Sequence, residues 1–326
     1  MSLTPGTPVI AEGLPITFRD QTVWRDPEVF EDTYMLAVDF DETCFTTFIS
    51  HGKGIEVHEA YEISVEQVLG PDARQDFSDY GGLSNRAPLD VIESLLTTEP
   101  RLITHALAHA QDHFANPADI TDIGLGLIAR FADRDRPDHD ELTVRAITEM
   151  LVARKKEHLI PQIGPDWPQP VRGFDTFWNN IRTRRAADER WKRVHTAIVS
   201  SGHTDFIRKT LQVAGLADPD VYMTDDEMRR QVRPRTKPDP YALQLVRNAW
   251  MNAYLVPKER QADDDFMKHT KGRSVYIGDD TDKDGNMATN DGIRFIHHDN
   301  APDTWSVIDQ RISNVVESRA DFGTTA

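Results

Sequence analysis

The sequence predicts an α/β fold with a parallel sheet. Several short apolar runs lack the alternation of a half-exposed strand, as expected for strands buried on both faces. These runs are residues 34–41, 196–200, 275–278 and 293–296, with a weaker candidate at 221–223. Helical patterns lie between the later runs, at 205–214 and 241–254. Short buried strands that alternate with helices form a parallel sheet covered on both sides.

The stretch after the first predicted strand has a different character. Charged and apolar residues recur there every three to four positions, and no run is typical of a buried strand. The predicted helices are 57–69, 88–96, 101–114, 141–158 and 175–192. We therefore expect residues 49–192 to form an inserted, mostly α-helical unit.

The remaining segments, 1–48 and 193–326, form a discontinuous core in this interpretation. Residues 1–33 are a turn-rich leader, expected to wrap on the surface or to be partly disordered. Residues 256–273 are a charged insertion before the fourth strand, and the tail after about residue 318 is expected to fray.

Composition excludes several classes of protein. The chain has 326 residues, 37 Lys and Arg against 54 Asp and Glu, and a net charge of −17. This excess of acid argues against nucleic acid as the main partner. Apolar runs are too short to span a membrane, and the single cysteine cannot form an intramolecular disulfide. The N-terminus lacks a signal-peptide layout, so we expect a cytoplasmic protein.

The first strand ends in two acids separated by one residue, Asp39 and Asp41. Such side chains point the same way while the chain is extended. At the carboxyl end of a strand they face the crevice where open α/β sheets bind ligands. An aspartate there can attack a phosphoryl group, and a second can transfer protons. The pair alone is weak evidence, because acidic strand ends are often solvated turns.

Two further polar elements follow later strands. Ser200, Ser201 and Gly202 end the second strand and open a helix, where a hydroxyl and backbone N–H groups suit a phosphate oxygen. Lys237 precedes the next helix in the segment Arg-Thr-Lys-Pro-Asp-Pro, where an ammonium could neutralise a phosphate and a carboxylate. The plainer interpretations are a helix cap for Ser200 and a surface position for Lys237.

The fourth strand ends in a dense acidic segment, 279–284, with carboxylates at Asp279, Asp280, Asp282 and Asp284. Carboxylates this crowded favour a compensating cation, and Mg²⁺ is the natural one for oxygen ligands. Two other acidic runs, 225–227 and 263–265, are most simply solvated turns. Each of the four polar elements is ambiguous by itself. Together they occur in order along the chain, each after an apolar, strand-like run. That conjunction indicates a phosphoryl-transfer site.

The order DxDxT, strand-Ser-Ser-Gly, Lys-Pro-Asp-Pro and GDDxxxD resembles the haloacid dehalogenase-like (HAD) hydrolase superfamily. The likeness covers about 33–48 and 193–300. Within the insert, residues 81–88 (GGLSNRAP) followed by a helix look like the cap entry of the phosphoglycolate phosphatase / β-phosphoglucomutase branch. The resemblance implies a Rossmann-like, three-layer α/β/α core with an inserted helical cap.

The resemblance also implies roles for individual residues. Asp39 would be the nucleophile, Asp41 the general acid and base, Ser200 a phosphate ligand, and Lys237 a bridge between phosphate and Asp39. Mg²⁺ would be bound by Asp39, the backbone carbonyl of Asp41 and Asp279. Either Asp284 or Asp280 would supply the last acid. Arg86 is a candidate substrate contact in the cap.

The implied activity is a Mg²⁺-dependent phosphatase of a small phosphorylated metabolite, through an aspartyl-phosphate intermediate. A phosphomutase with the same core residues is the alternative. A non-catalytic member that binds metal and phosphate is another, because Glu42 replaces the glycine common in the first motif. The Glu42 side chain could alter the loop or add negative charge to the site. The sequence determines neither the substrate nor the oligomeric state.

Overall fold

The structure, a computed structural model, describes residues 27–47, 57–79, 94–96, 98–99, 101–102, 105–106, 141–231 and 235–323. The chain divides into two compact units. One comprises Met1–Thr47 and Ile163–Ala326, and the other comprises Phe48–Gln162. The discontinuous first unit contains all the strands of the described residues.

The strands of the first unit are β1 (Tyr34–Val38), β2 (Phe45–Thr46), β3 (Gln169–Pro170), β4 (Val194–Val199), β5 (Val221–Met223), β6 (Ser274–Gly278) and β7 (Arg294–His297). Five of them form one sheet in the order β5-β4-β1-β6-β7. Every pair in that sheet is parallel. The predicted α/β fold with a parallel sheet is therefore confirmed, including the weaker candidate strand β5.

The strand order places a topological switch at the centre of the sheet. From β1 the chain passes to β4 and then β5 on one side, and afterwards returns to β6 on the other side of β1. Strand β1 is consequently paired with both β4 and β6. Ligands of open α/β sheets bind outside the carboxyl ends of the strands at such a switch. The segments that follow β1, β4 and β6 are therefore the place to look for a site.

The α-helices that the structure describes from end to end are α1 (Val57–Leu69), α2 (Pro71–Asp79), α3 (Glu141–Leu159), α4 (Phe174–Ala187), α5 (Thr204–Val213), α6 (Asp225–Arg229), α7 (Tyr241–Ala253), α8 (Lys258–Gln261), α9 (Asp264–Gly272), α10 (Asn286–Asp291) and α11 (Thr304–Ser318). Helices α8 and α9 occupy the segment expected to be a charged insertion.

Both faces of the sheet are buried. One face joins Met35, Ala37, Val199 and Tyr276 in a single apolar cluster with residues of α7 and α10. The alternate strand residues point to the other face, and Leu36, Val38, Ile198 and Ile277 are also fully buried there. This two-sided burial explains why the strands have no polar–apolar alternation.

Part of the expected leader belongs to the core. A short 3₁₀ turn, Phe30–Asp32, places the Phe30 ring 4.6 Å from the ring centroid of Trp250 and 5.5 Å from those of Tyr254 and Phe266. In the expected fraying tail, Phe322 is buried: its ring centroid lies 5.9 Å from that of Tyr34, and its N–H donates to the Gly272 carbonyl. Aromatic burial thus anchors the described residues at both ends of the unit.

The chain returns to the core unit earlier than expected. We placed the end of the insert at residue 192, whereas residues 163–192 lie in the first unit. Helix α4 packs against α11 there: Arg184 pairs with Asp309, and the Phe177 ring stacks 4.6 Å from Trp305. The two-residue strands β2 and β3 also pair in this region, antiparallel, and are too short to leave a sequence pattern.

The second unit is helical in its described residues. Helices α1, α2 and α3 bury one apolar cluster that includes Tyr61, Val65, Phe77 and Leu151. The Tyr61 and Phe77 rings stack with centroids 6.0 Å apart. Helices predicted at 57–69 and 141–158 are confirmed. The described helices include none that is long and apolar enough to cross a membrane.

Candidate active site

Three chemically active segments begin directly after neighbouring strands. Asp39 follows β1, Ser200 follows β4, and Asp279 follows β6. Because parallel strands end at the same edge, these segments converge at the switch point of the sheet. Lys237 reaches the same place from the turn before α7. The convergence predicted from the order of the motifs is therefore present in the structure.

Asp39 and Lys237 form the centre of this cluster. Asp39 is 7% exposed, and its backbone N–H donates to the Ile277 carbonyl at 2.8 Å. The Lys237 Nζ lies 2.5 Å from Asp39 Oδ1 and 2.8 Å from Asp284 Oδ1. One buried ammonium thus bridges two buried carboxylates. Such a bridge compensates for the cost of removing these charges from water.

The charges in this cluster shift each other's pKa values. Burial raises the pKa of Asp39, and the nearby carboxylates add to that effect, while Lys237 opposes it. Burial alone would lower the pKa of Lys237, but the Asp39 and Asp284 carboxylates outweigh it and raise that pKa. Lys237 therefore remains a cation at neutral pH.

Asp284 is buried and closely packed against its neighbours. It is 1% exposed, and its Oδ1 accepts a hydrogen bond from the Tyr276 hydroxyl at 3.0 Å. A Cβ atom added at Gly278 would lie 2.2 Å from Asp284 Oδ2. Glycine at the end of β6 is therefore required by the close approach of this carboxylate.

Three carboxylates suit a cation. Asp39, Asp279 and Asp284 each offer an oxygen atom, and these atoms all lie within 4.8 Å of one another. The Thr43 hydroxyl donates to Asp279 Oδ1 at 2.8 Å and orients it. Clustered carboxylate oxygens are the donor set that a hard divalent cation such as Mg²⁺ prefers. The residues present therefore fit the metal that the motifs imply.

Asp280 has a different position from its neighbours. Its Oδ1 accepts the backbone N–H groups of Asp282 and Lys283, both at 2.9 Å, and so caps the short π-helical turn Thr281–Gly285. Although partial burial raises the pKa of Asp280, these N–H donors lower it overall. Of the two acids left open by the sequence, Asp284 joins the carboxylate cluster and Asp280 caps the turn.

Asp41 is bound by two hydroxyl groups. The Thr47 hydroxyl donates to Asp41 Oδ1 at 2.8 Å, and the Ser200 hydroxyl donates to Asp41 Oδ2 at 3.2 Å. The Gly202 N–H donates in turn to Ser200 Oγ at 2.8 Å. The second acid of the motif is therefore connected to the predicted phosphate-binding turn.

Glu42 adopts a backbone conformation that favours glycine, with φ of 56°. Its N–H donates to the Phe45 carbonyl at 2.8 Å, and its Oε1 accepts the Thr47 N–H at 2.8 Å. The sequence left two possibilities for this side chain. In the structure its carboxylate contacts the backbone of its own loop.

A buried ionic network supports the predicted phosphate-binding turn. The Asp225 N–H donates to the Gly202 carbonyl at 3.0 Å, and Asp226 Oδ2 accepts the Thr204 N–H at 2.8 Å. Arg229 pairs with both aspartates. These acids are 9% and 8% exposed, so our expectation of a solvated turn at 225–227 was wrong. The buried arginine is what makes their burial tolerable.

The structure thus brings together most of the predicted site residues: Asp39, Asp41, Ser200, Gly202, Lys237, Asp279 and Asp284. Ser201 is exposed, and Arg86 lies outside the described residues. Sequence reasoning gave no role to Thr43, Thr47 or Tyr276. A hydroxyl side chain in an otherwise apolar run was the signal available for Tyr276.

Comparisons with known proteins give distant structural similarities. No protein-family model matches the chain, and no curated protein matches it. Among solved structures, it is similar to the HAD-hydrolase YfnB from Bacillus subtilis bound to magnesium, with 14% identity and a TM-score of 0.32. That match covers 82% of this chain and 89% of the other.

A second similarity is to CbbY from Rhodobacter sphaeroides in complex with phosphate, with 16% identity and a TM-score of 0.35. It covers 81% of this chain and 85% of the other. The name of the first structure is that of the superfamily which the motifs resemble. At identities and TM-scores this low, neither similarity assigns the chain to a family, and the phosphoglycolate phosphatase / β-phosphoglucomutase branch stays a prediction.

Proposed function

We propose that the protein is a Mg²⁺-dependent phosphatase of small organic phosphates that works through an aspartyl-phosphate on Asp39. The observation that carries this proposal is the buried Asp39 at the switch point, 2.5 Å from the Lys237 ammonium and clustered with two further carboxylates. A nucleophilic carboxylate beside a fixed cation matches the needs of phosphoryl transfer, which depends on positioning and charge stabilisation.

The first half of the reaction transfers the phosphoryl group to the protein. An oxygen of Asp39 attacks phosphorus, and the bond between phosphorus and the leaving oxygen breaks. Asp41 donates its proton to that oxygen, so the product leaves as an alcohol. Lys237 and Ser200 hold the phosphoryl oxygens as charge moves onto them.

The second half returns the protein to its starting state. Asp41, now a carboxylate, takes a proton from a water molecule whose oxygen attacks the aspartyl-phosphate. The acyl phosphate's bond to phosphorus breaks, which releases inorganic phosphate and regenerates the Asp39 carboxylate. A Mg²⁺ ion bound by Asp39, Asp279, Asp284 and the Asp41 carbonyl would supply charge neutralisation for the incoming anion.

The placement of Glu42 removes the argument for a purely binding role, which was that this side chain could disturb the site. Its carboxylate lies against the Thr47 backbone, and Thr47 contacts Asp41 rather than displacing it. The departure from glycine therefore leaves the two acids of the motif in a usable arrangement.

The test is phosphate release from p-nitrophenyl phosphate and a panel of phosphorylated metabolites, with Mg²⁺ or with EDTA. We expect Mg²⁺-dependent release that Asp39→Asn lowers by at least about 10³-fold. Asp280→Asn is the matched control, because it makes the same chemical change in an acid outside the cluster, and it should retain most activity.

Two results would overturn the proposal. One is no turnover by the wild type across the panel. The other is isomerisation of a sugar phosphate without net phosphate release, which would show the phosphomutase alternative instead.

A further inference from the structure

The Glu42 turn combines backbone strain with a definite side-chain contact. A glycine would adopt its φ of 56° without strain, yet the chain has a glutamate there. The carboxylate accepts the Thr47 N–H at 2.8 Å, a charge-assisted hydrogen bond that closes the loop between the two residues. The glutamate therefore helps to place the backbone of Thr47, directly after the paired residues of β2.

Thr47 passes this placement on to Asp41. Its side chain is 1% exposed, and its hydroxyl donates to Asp41 Oδ1 at 2.8 Å. Since Thr47 is buried, the position of its backbone also sets the position of its hydroxyl. Glu42, Thr47 and Asp41 thus form a continuous chain of hydrogen bonds within one loop.

These hydrogen bonds matter more for the position of Asp41 once phosphate is bound. The Ser200 hydroxyl now donates to Asp41 Oδ2 at 3.2 Å, but it has a single hydrogen. If that hydrogen turns to a phosphoryl oxygen, as the proposed function requires, Asp41 loses this donor. The hydrogen bond from Thr47 comes from a separate hydroxyl and goes to the other oxygen, Asp41 Oδ1, so it does not depend on the Ser200 hydrogen.

We propose that Glu42 is a positioning residue that orients Asp41 for proton transfer, acting through the Thr47 N–H and hydroxyl. This inference rests on the proposed phosphatase function. It has a specific consequence: misplacement of Asp41 should matter most where the leaving group needs a proton. Alkyl phosphates need one, whereas p-nitrophenolate leaves without it.

The experiment compares kcat/KM, which reports phosphoryl transfer to Asp39, for two substrates in Mg²⁺. One is p-nitrophenyl phosphate, and the other is the alkyl phosphate that the wild type hydrolyses fastest in the panel. For Glu42→Gly we expect about tenfold or greater loss on the alkyl phosphate and less than about threefold loss on the aryl one. Glu42→Gln keeps an acceptor oxygen and should restore both substrates to within about threefold of wild type.

A second pair of variants, at Thr47, tests the same proposal independently of the Glu42 substitutions. Thr47→Val deletes the hydroxyl at nearly constant shape and should give the same substrate-selective loss, while Thr47→Ser should restore activity. Thermal unfolding of each variant identifies any that fails to fold. If a variant at one of the two positions fails, the pair of variants at the other position tests the positioning role.

The outcomes separate the two proposals. A wild type inactive on both substrates overturns the phosphatase function, and this inference with it. An active wild type whose Glu42→Gly and Thr47→Val variants lose equal activity on both substrates, or lose none, overturns the positioning role alone.

Discussion

The Lys237 Nζ atom lies 2.5 Å from Asp39 Oδ1, at the switch point of the parallel sheet. The same ammonium contacts Asp284, so two strand ends and the turn before α7 are tied together by one cation. The ion pair thus has two functions in our proposal. It compensates for the burial of two carboxylates, and it holds the nucleophile where phosphate would bind.

Replacement of this lysine should affect both activity and stability. Lys237→Met leaves Asp39 and Asp284 buried without their cation, so we expect about 3 kcal/mol less free energy of unfolding in EDTA. We also expect at least about a hundredfold loss of phosphatase activity. Urea denaturation and kinetics measure the two effects. The matched control is Lys283→Met. This half-exposed lysine has its Nζ 3.6 Å from Asp280 Oδ2, and its replacement should change stability by less than about 1 kcal/mol. Unchanged activity in Lys237→Met would contradict this role.

Mg²⁺ should stabilise the protein through Asp279. A ligand bound to the folded state alone adds about 2.7 kcal/mol of stability at a hundred times its Kd. We expect the wild type to show a rise in Tm with Mg²⁺, and Asp279→Asn to lose most of that rise. Asp280→Asn should keep it, because this side chain caps the turn instead of joining the cluster. If Asp280→Asn loses the Mg²⁺ response and Asp279→Asn retains it, the assignment of the cluster is wrong.

Gly278→Ala should displace Asp284. The new Cβ atom would lie 2.2 Å from Asp284 Oδ2, so either the carboxylate or β6 must move. Overpacking of this kind costs about 1–3 kcal/mol, and here it also disturbs the contact with Lys237. Chemical denaturation and phosphatase assays measure both consequences.

The control for that variant is Gly215→Ala. Gly215 has a φ of +69° and nothing within 4 Å of an added Cβ atom, so it isolates backbone strain of about 1 kcal/mol. Its activity should be unchanged. Equal activity losses in the two variants would argue against a specific displacement of Asp284.

His195 should make the protein less stable in acid. Burial lowers the pKa of this histidine from 6.5 to about 4, and its Nε2 lies 2.8 Å from the Tyr254 hydroxyl. Between these two pKa values the unfolded chain binds the extra proton, so stability falls as pH falls through that range. The expected loss from pH 7.5 to pH 5 is about 2 kcal/mol.

Urea denaturation across this pH range, for wild type and His195→Gln, measures the contribution. The variant should show a shallower decline than wild type. Parallel curves for wild type and His195→Gln would contradict the prediction.

Much of the sheet could be predicted because its strands are buried on both faces. Runs such as 34–38 and 274–278 are apolar without alternation, and that pattern depends only on local composition. The pairing of β2 with β3 could not be predicted. Each strand has two residues, and the partners are far apart in the chain. The return of the chain to the first unit near residue 163 could not be predicted either. Helix α4 has an ordinary helical pattern, and only its packing on α11 shows that it belongs to the first unit.

The sequence by itself determined the parallel α/β fold and the short set of acids, hydroxyls and lysine at strand ends, because strand burial and motif order are local properties. Only the tertiary structure decided which of these side chains meet. Asp280 and Asp284 are four residues apart in one acidic segment, yet one caps a turn and the other joins Asp39 and Lys237. The same holds for the buried Asp225, whose N–H donates to the Gly202 carbonyl from another strand end. Such choices depend on contacts between segments distant in sequence, which no local pattern contains.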